Sequence, residues 1–137
     1  MTVGRLQVVF DCADPERVAR FWAAALGYEL QWEWDQQTTQ WMLDGGLPPQ
    51  DVGARSAIVH PAGAGPRLYF QRVPEGKAGK NRVHVDVKAP EGELATEVAR
   101  LVGLGATVLH EHDGDFGPIH DHHVTLLDPE GNEFCVS

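Results

Sequence analysis

The sequence predicts an α+β fold made of two similar modules in a single domain, and three observations carry that prediction. The chain has 137 residues, room for one hydrophobic core but not for two independently stable ones. Apolar residues recur with period two in some short runs and at helical spacing in others. The order strand, helix, then about three strands occurs twice, over about 1–76 and about 81–137.

Module one opens with Leu6 to Phe10, mostly apolar and β-branched, a strand that ends at Asp11-Cys12-Ala13-Asp14-Pro15. Asp14 then stands as a helix N-cap, with Pro15 at the first helical position and Glu16 in the first turn. Val18, Phe21, Trp22, Ala25 and Leu26 form one apolar stripe, and Gly27 stops the helix. Tyr28, Leu30, Trp32 and Trp34 alternate with Glu29, Gln31 and Glu33, the pattern of a half-buried strand. Thr38 to Leu43 reads as another strand, closed by Asp44-Gly45-Gly46. After a Pro-Pro loop come a short extended stretch, Ala57 to His60, and a strand from Arg67 to Val73.

Module two starts with the alternating strand Arg82 to Val87. A helix follows over Glu91 to Leu104, with Leu94, Val98, Leu101 and Val102 as its apolar face and Gly105 at its C-cap. Ala106 to His110 is a strand, Gly114 to Pro118 a turn, Val124 to Leu127 a strand and Asn132 to Val136 the last strand. Gly27 lies 20 positions after Gln7, and Gly105 lies 21 after His84. Asp128-Pro129-Glu130-Gly131 echoes His60-Pro61-Ala62-Gly63. This is a degenerate repeat at half-chain length, so the two modules are expected to pack as one domain, 1–137.

A net charge of −9 argues against a nucleic-acid partner, which needs a basic face. The short basic cluster Lys77, Lys80 and Arg82 reads as a solvated loop. No apolar run approaches the roughly 20 residues of a membrane helix. Met1 to Arg5 does not lead into an apolar stretch, so no signal peptide is expected. The expectation is a cytoplasmic protein with Cys12 and Cys135 reduced. No nucleophile elbow, phosphate loop or CxxC pair is present.

Three segments together resemble the vicinal-oxygen-chelate superfamily of glyoxalases, bleomycin-resistance proteins and dioxygenases. They are Leu6–Leu26 with Asp14-Pro15-Glu16-Arg17, Phe21-Trp22 and Leu26-Gly27-Tyr28; Lys80-Asn81-Arg82-Val83-His84-Val85-Asp86; and Leu127 to Val136. Within that superfamily they look most like an actinobacterial glyoxalase-like group. The resemblance implies two βαβββ modules whose mixed sheets curl around a ligand cleft. It also implies a small-molecule ligand and a homodimer.

Metal-dependent members of the family take ligands from the first and last strand of each module. By that resemblance the positions fall on Gln7, His84, Tyr69 and Cys135, where glutamate is usual at the last two. Gln7, His84 and Cys135 are therefore the candidate ligands of one divalent ion (zinc, nickel, iron or manganese), and Glu133, two residues before Cys135, is the candidate catalytic group. Tyr69, Trp32, Trp41 and His123 are candidates for the cleft wall, the tryptophans because they fall on expected adjacent strands and offer flat apolar faces. Independently of the family, His110 and His112 share a face by alternation, as do His120 and His122. A hairpin between them could gather four imidazoles with Asp113, Asp115 or Asp121, an alternative site for zinc, nickel or copper.

Two functions from different classes follow. One is a divalent-metal glyoxalase-like lyase, isomerase or dioxygenase. The other is a metal-free binding protein of the bleomycin-resistance type, holding an aromatic or cationic ligand. A sensor or accessory module is a third, and nothing in the chain marks a partner surface for it.

Overall fold

The computed structural model describes residues 4–137. The chain divides into two compact units, Met1–Gly76 and Lys77–Ser137.

The first unit runs β1 (Gln7–Cys12), α1 (Pro15–Leu26), β2 (Glu29–Leu30), α2 (Gln36–Asp44), a short 3₁₀ turn, β3 (Arg55–Val59) and β4 (Arg67–Arg72). Its four-stranded sheet has the order β1-β4-β3-β2. β1 is parallel to β4 and the other pairs are antiparallel. The Asp14 side chain accepts from the Arg17 amide, and Gly27 ends α1 at φ 69°, where a side chain would be strained. Val18, Ala19, Phe21, Trp22 and Ala25 bury the stripe that the spacing predicts. Phe10 packs edge-on to Trp22 at 5.6 Å and against Phe70 at 5.2 Å. Each such side chain contributes about 1.5–3 kcal/mol of burial.

Two expected strands are corrected here. Thr38–Leu43 is helical, inside α2. Asp35 accepts from the Thr38 amide at 2.7 Å and caps the helix, and Gln40 donates to Asp44 one turn on, at 2.7 Å. Those local bonds outweigh the strand preference of Thr38 and Thr39. The strand expected over Tyr28–Trp34 is only Glu29–Leu30. Gln31 makes one more bond to the Ala57 carbonyl. Beyond it the Trp34 indole N–H, rather than a backbone amide, takes the Arg55 carbonyl at 2.8 Å.

The second unit runs β5 (Val85–Val87), α3 (Leu94–Leu104), β6 (Thr107–Phe116), β7 (Ile119–Leu127) and β8 (Glu133–Val136). Its sheet order is β5-β8-β7-β6, again with the first strand parallel to the last. Phe134, Val136, Val124 and Leu126 face a core that also holds Leu101 of α3. β5 begins later than Arg82, because Asn81 spends its amide on Glu133 and its side chain on Asn132. The helix begins at Leu94 rather than Glu91, because Gly92 at φ 76° closes a separate turn. The hairpin is longer than expected, with the turn reduced to Gly117 and Pro118.

The architecture is α+β, with two four-stranded mixed sheets and the same strand–helix–three-strand order in both units. α2 is an insertion in the first. The two echoed turns share one bond pattern. His60 Nδ1 accepts from the amides of Ala62 and Ala64; Asp128 Oδ1 accepts from those of Glu130 and Asn132. Acceptors of different chemistry hold the same turn.

Candidate metal centre

In the second unit, pairing sets a polar row across one sheet face. Asp86 lies opposite Cys135, Cys135 opposite Thr125, and Thr125 opposite His110. Cross-strand partners share a face, and this one is opposite the face of Phe134 and Leu126. His84, just before β5, adds its Nδ1 at 3.1 Å from Asp86 Oδ1. Among the described residues, His84, Asp86 and Cys135 each offer a ligand atom, and those atoms all lie within 4.8 Å of one another. Thr125 Oγ1 is 3.4 Å from Cys135 Sγ and 3.4 Å from His110 Nε2, so it sits behind the thiol as an orienting partner. Asp86, placed by alternation on the His84 face, was not among the expected ligands. Neither Cys12 nor Cys135 is in a disulfide.

The donor set suits zinc. Thiolate, imidazole and carboxylate are its three usual ligand types, whereas a thiolate fits manganese poorly. Tetrahedral zinc spaces its donors by roughly 3.3–3.8 Å. Donor atoms within 4.8 Å of one another would close by about 1.5 Å at most to hold such an ion.

Glu133, the expected catalytic group, is held by two donors. Its carboxylate accepts from the Asn81 amide at 3.0 Å and from Lys77 Nζ at 3.0 Å, and Lys77 also reaches the Gly79 carbonyl. The Asn81 amide first, and then Lys77, lower its pKa from 4.5 to about 2. A carboxylate so held anchors the Lys77–Asn81 loop and is a poor proton acceptor at neutral pH.

The four-imidazole cluster does not form. The register shifts between Val108 and His110, leaving Leu109 as an extra residue. One extra residue turns every later side chain to the other face. Without it His110 and His112 would lie opposite Val124 and His122; with it they lie opposite Thr125 and His123. His123, half-buried, therefore shares the Cys135 face, its ring 5.2 Å from that of His112. Its hydrogen bond to Asp121 at 2.9 Å lowers the Asp121 pKa. His120 and His122 occupy the reverse face. His120 pairs with Asp113 and Asp115, each at 2.9 Å. His122 pairs with Glu111 at 2.7 Å, and that bond raises its pKa.

Gln7 lies in the first unit. Its Oε1 accepts from Arg67 Nη1 at 2.8 Å, so a guanidinium cation already holds the oxygen expected to bind metal. Tyr69 shares that face, with the Arg67 guanidinium 5.0 Å from its ring centroid. Trp32 lies beyond the end of β2 and is half-buried. Its indole N–H is buried with no hydrogen-bond partner among the described residues. Trp41 is corrected from a strand to α2, where it is 71% exposed.

A family model described as a glyoxalase-like domain matches residues 7–137. The chain belongs to that glyoxalase-like family, within the vicinal-oxygen-chelate superfamily. Solved structures agree on the fold. The fosfomycin resistance protein FosX from Mesorhizobium loti superposes with a TM-score of 0.66 at 13% identity, over 99% of this chain and 91% of that one. A mutant FosX from Listeria monocytogenes, complexed with Mn(II) and 1S,2S-dihydroxypropylphosphonic acid, gives 0.67 at 11% identity, over 99% and 90%. A glyoxalase/bleomycin resistance protein/dioxygenase family enzyme from Burkholderia phytofirmans PsJN gives 0.65 at 15% identity, over 95% and 94%. No curated protein matches the chain significantly. Among the described residues, no helix of this glyoxalase-like protein is long and apolar enough to cross a membrane.

Proposed function

We propose that the protein is a divalent-metal-dependent glyoxalase-like lyase or isomerase acting on a small molecule. Its ion, zinc by preference, is held by His84, Asp86 and Cys135. The observation that carries this reading is the meeting of imidazole, carboxylate and thiol within 4.8 Å on one sheet face. A divalent ion there supplies an electrophile that polarises a substrate oxygen. The chain's own residues do the rest. Thr125 orients the Cys135 sulfur and links it to His110. His110, His112 and His123 are the imidazoles on that face able to move a proton. Glu133 acts as the loop anchor. We further propose a cytoplasmic homodimer, with light scattering as the test of its mass.

The test is elemental analysis of tag-free protein, wild type against His84→Ala and Cys135→Ser. One metal per chain, lost in both variants, supports the reading; metal retained in both overturns it. Loss only in His112→Ala with His123→Ala would move the site along the same face.

Metal-free sequestration is the second reading, and a specific observation favours it. The Gln7 oxygen is engaged by Arg67, so the family's first-strand ligand position is closed to an ion. Wild type without metal, with tryptophan fluorescence quenched by aromatic ligands, selects this alternative.

A further inference from the structure

The first unit holds a pocket of about 770 Å³ beside β1 and β4, lined by Arg5, Gln7, His60 and Arg67 together with the His60–Pro66 loop. Among the described residues no acidic side chain lines it, in a chain whose net charge is −9. We propose that this pocket binds the anionic head of a small molecule, a carboxylate or a tetrahedral oxyanion, on the Arg67 guanidinium. It lies wholly within the first unit and does not depend on the metal reading.

Three features make Arg67 a receptor rather than a solvated cation. Its Nε donates to Gln31 Oε1 at 2.8 Å and its Nη1 to Gln7 Oε1 at 2.8 Å. Both acceptors are neutral amides, so the guanidinium is oriented without being neutralised. It also lies 5.0 Å from the Tyr69 ring centroid, a cation–π contact that fixes its plane. Nη2, with two hydrogens, has no acceptor among the described residues. A planar fork held this way has already lost its rotamer entropy, so an arriving oxyanion gains charge-assisted bonds at low ordering cost.

The loop wall is equally fixed. His60 Nδ1 accepts from Ala62 at 3.0 Å and Ala64 at 3.3 Å, so the ring's own donor is Nε2. The Tyr28 ring stacks edge-on against His60 at 5.6 Å, and its hydroxyl fills the space that a side chain at Gly65 would need. Arg5 also lines the pocket and adds a second positive charge beside Arg67.

The test is NMR titration of the wild-type chain with inorganic phosphate and with acetate, against chloride at matched ionic strength. The amides of Ala62, Ala64 and Gly65 and the Arg67 Nε–H are the probes. The expected result is saturable shifts with at least one oxyanion, and the stronger binder names the head group. Arg67→Gln should weaken that binding roughly tenfold or more, since a charged hydrogen bond contributes about 1.5–3 kcal/mol. Arg5→Gln leaves the Gln7 and Gln31 bonds intact and should weaken it by a smaller factor, with all other signals unmoved. Shifts that stay linear and match chloride overturn the proposal, as does binding unchanged in both variants. Should Arg67→Gln fail to fold, Arg5→Gln decides alone.

Discussion

Replacing Glu133 with glutamine tests the anchor role directly. The side chain is 11% exposed and bridges Lys77 and the Asn81 amide. Glutamine keeps a carbonyl for the amide but loses the charge that both donors favour. A fall in pKa from 4.5 to about 2 corresponds to an upper bound of about 3.4 kcal/mol, at about 1.36 kcal/mol per pH unit. Solvent screening near a surface lysine reduces this to about 2 kcal/mol. The folded pKa lies below the unfolded one, so the contribution is complete above about pH 4.5 and disappears as pH falls towards about 2. Urea unfolding of EDTA-treated wild type and Glu133→Gln, at neutral pH and at steps down to acid, measures it. The expected gap is about 2 kcal/mol at pH 7, closing on acidification. A gap under about 0.5 kcal/mol at pH 7, or one that persists in acid, refutes the reasoning.

Other substitutions read single features of the fold. The Ser56 hydroxyl is buried without a partner; Ser56→Ala should leave stability unchanged or raise it by about 1 kcal/mol in the same unfolding assay. Asp35→Ala removes the α2 cap and should cost about 1 kcal/mol with a small loss of helical circular dichroism. Phe70 is fully buried against Phe10, and Phe70→Ala should cost about 3–5 kcal/mol, read as a fall in the urea midpoint.

The sequence's legibility follows the range of the forces involved. α1 was readable residue by residue, because its cap, stripe and stop all lie within its own span. The half-chain repeat was readable too, down to the echoed turns whose shared bond pattern His60 and Asp128 now explain. α2 differs from the expected strand although its signal is local: Asp35 caps it three residues before Thr38, and a run as short as Thr38–Leu43 does not by itself separate strand from helix. The strand over Tyr28–Trp34 failed for a non-local reason, since the burial alternation survives while the hydrogen bonds go to an indole from Trp34.

The site shows the same division more sharply. Strand parity places His84 with Asp86, and two strands in parallel register bring Cys135 beside them; only the first step is visible in sequence. Arg67 was invisible as a functional group, because its importance comes from Gln7, sixty positions away in the chain, and Gln31, thirty-six away. Leu109 decides the histidines. Nothing in Val108-Leu109-His110 marks a bulge, yet that one unpaired residue sends His110 and His112 to the face of Cys135 and leaves His120 and His122 to their carboxylates on the other. The shift joins two imidazoles to the Cys135 face, and the pairing of the remaining two with Glu111, Asp113 and Asp115 then needs no metal to account for it.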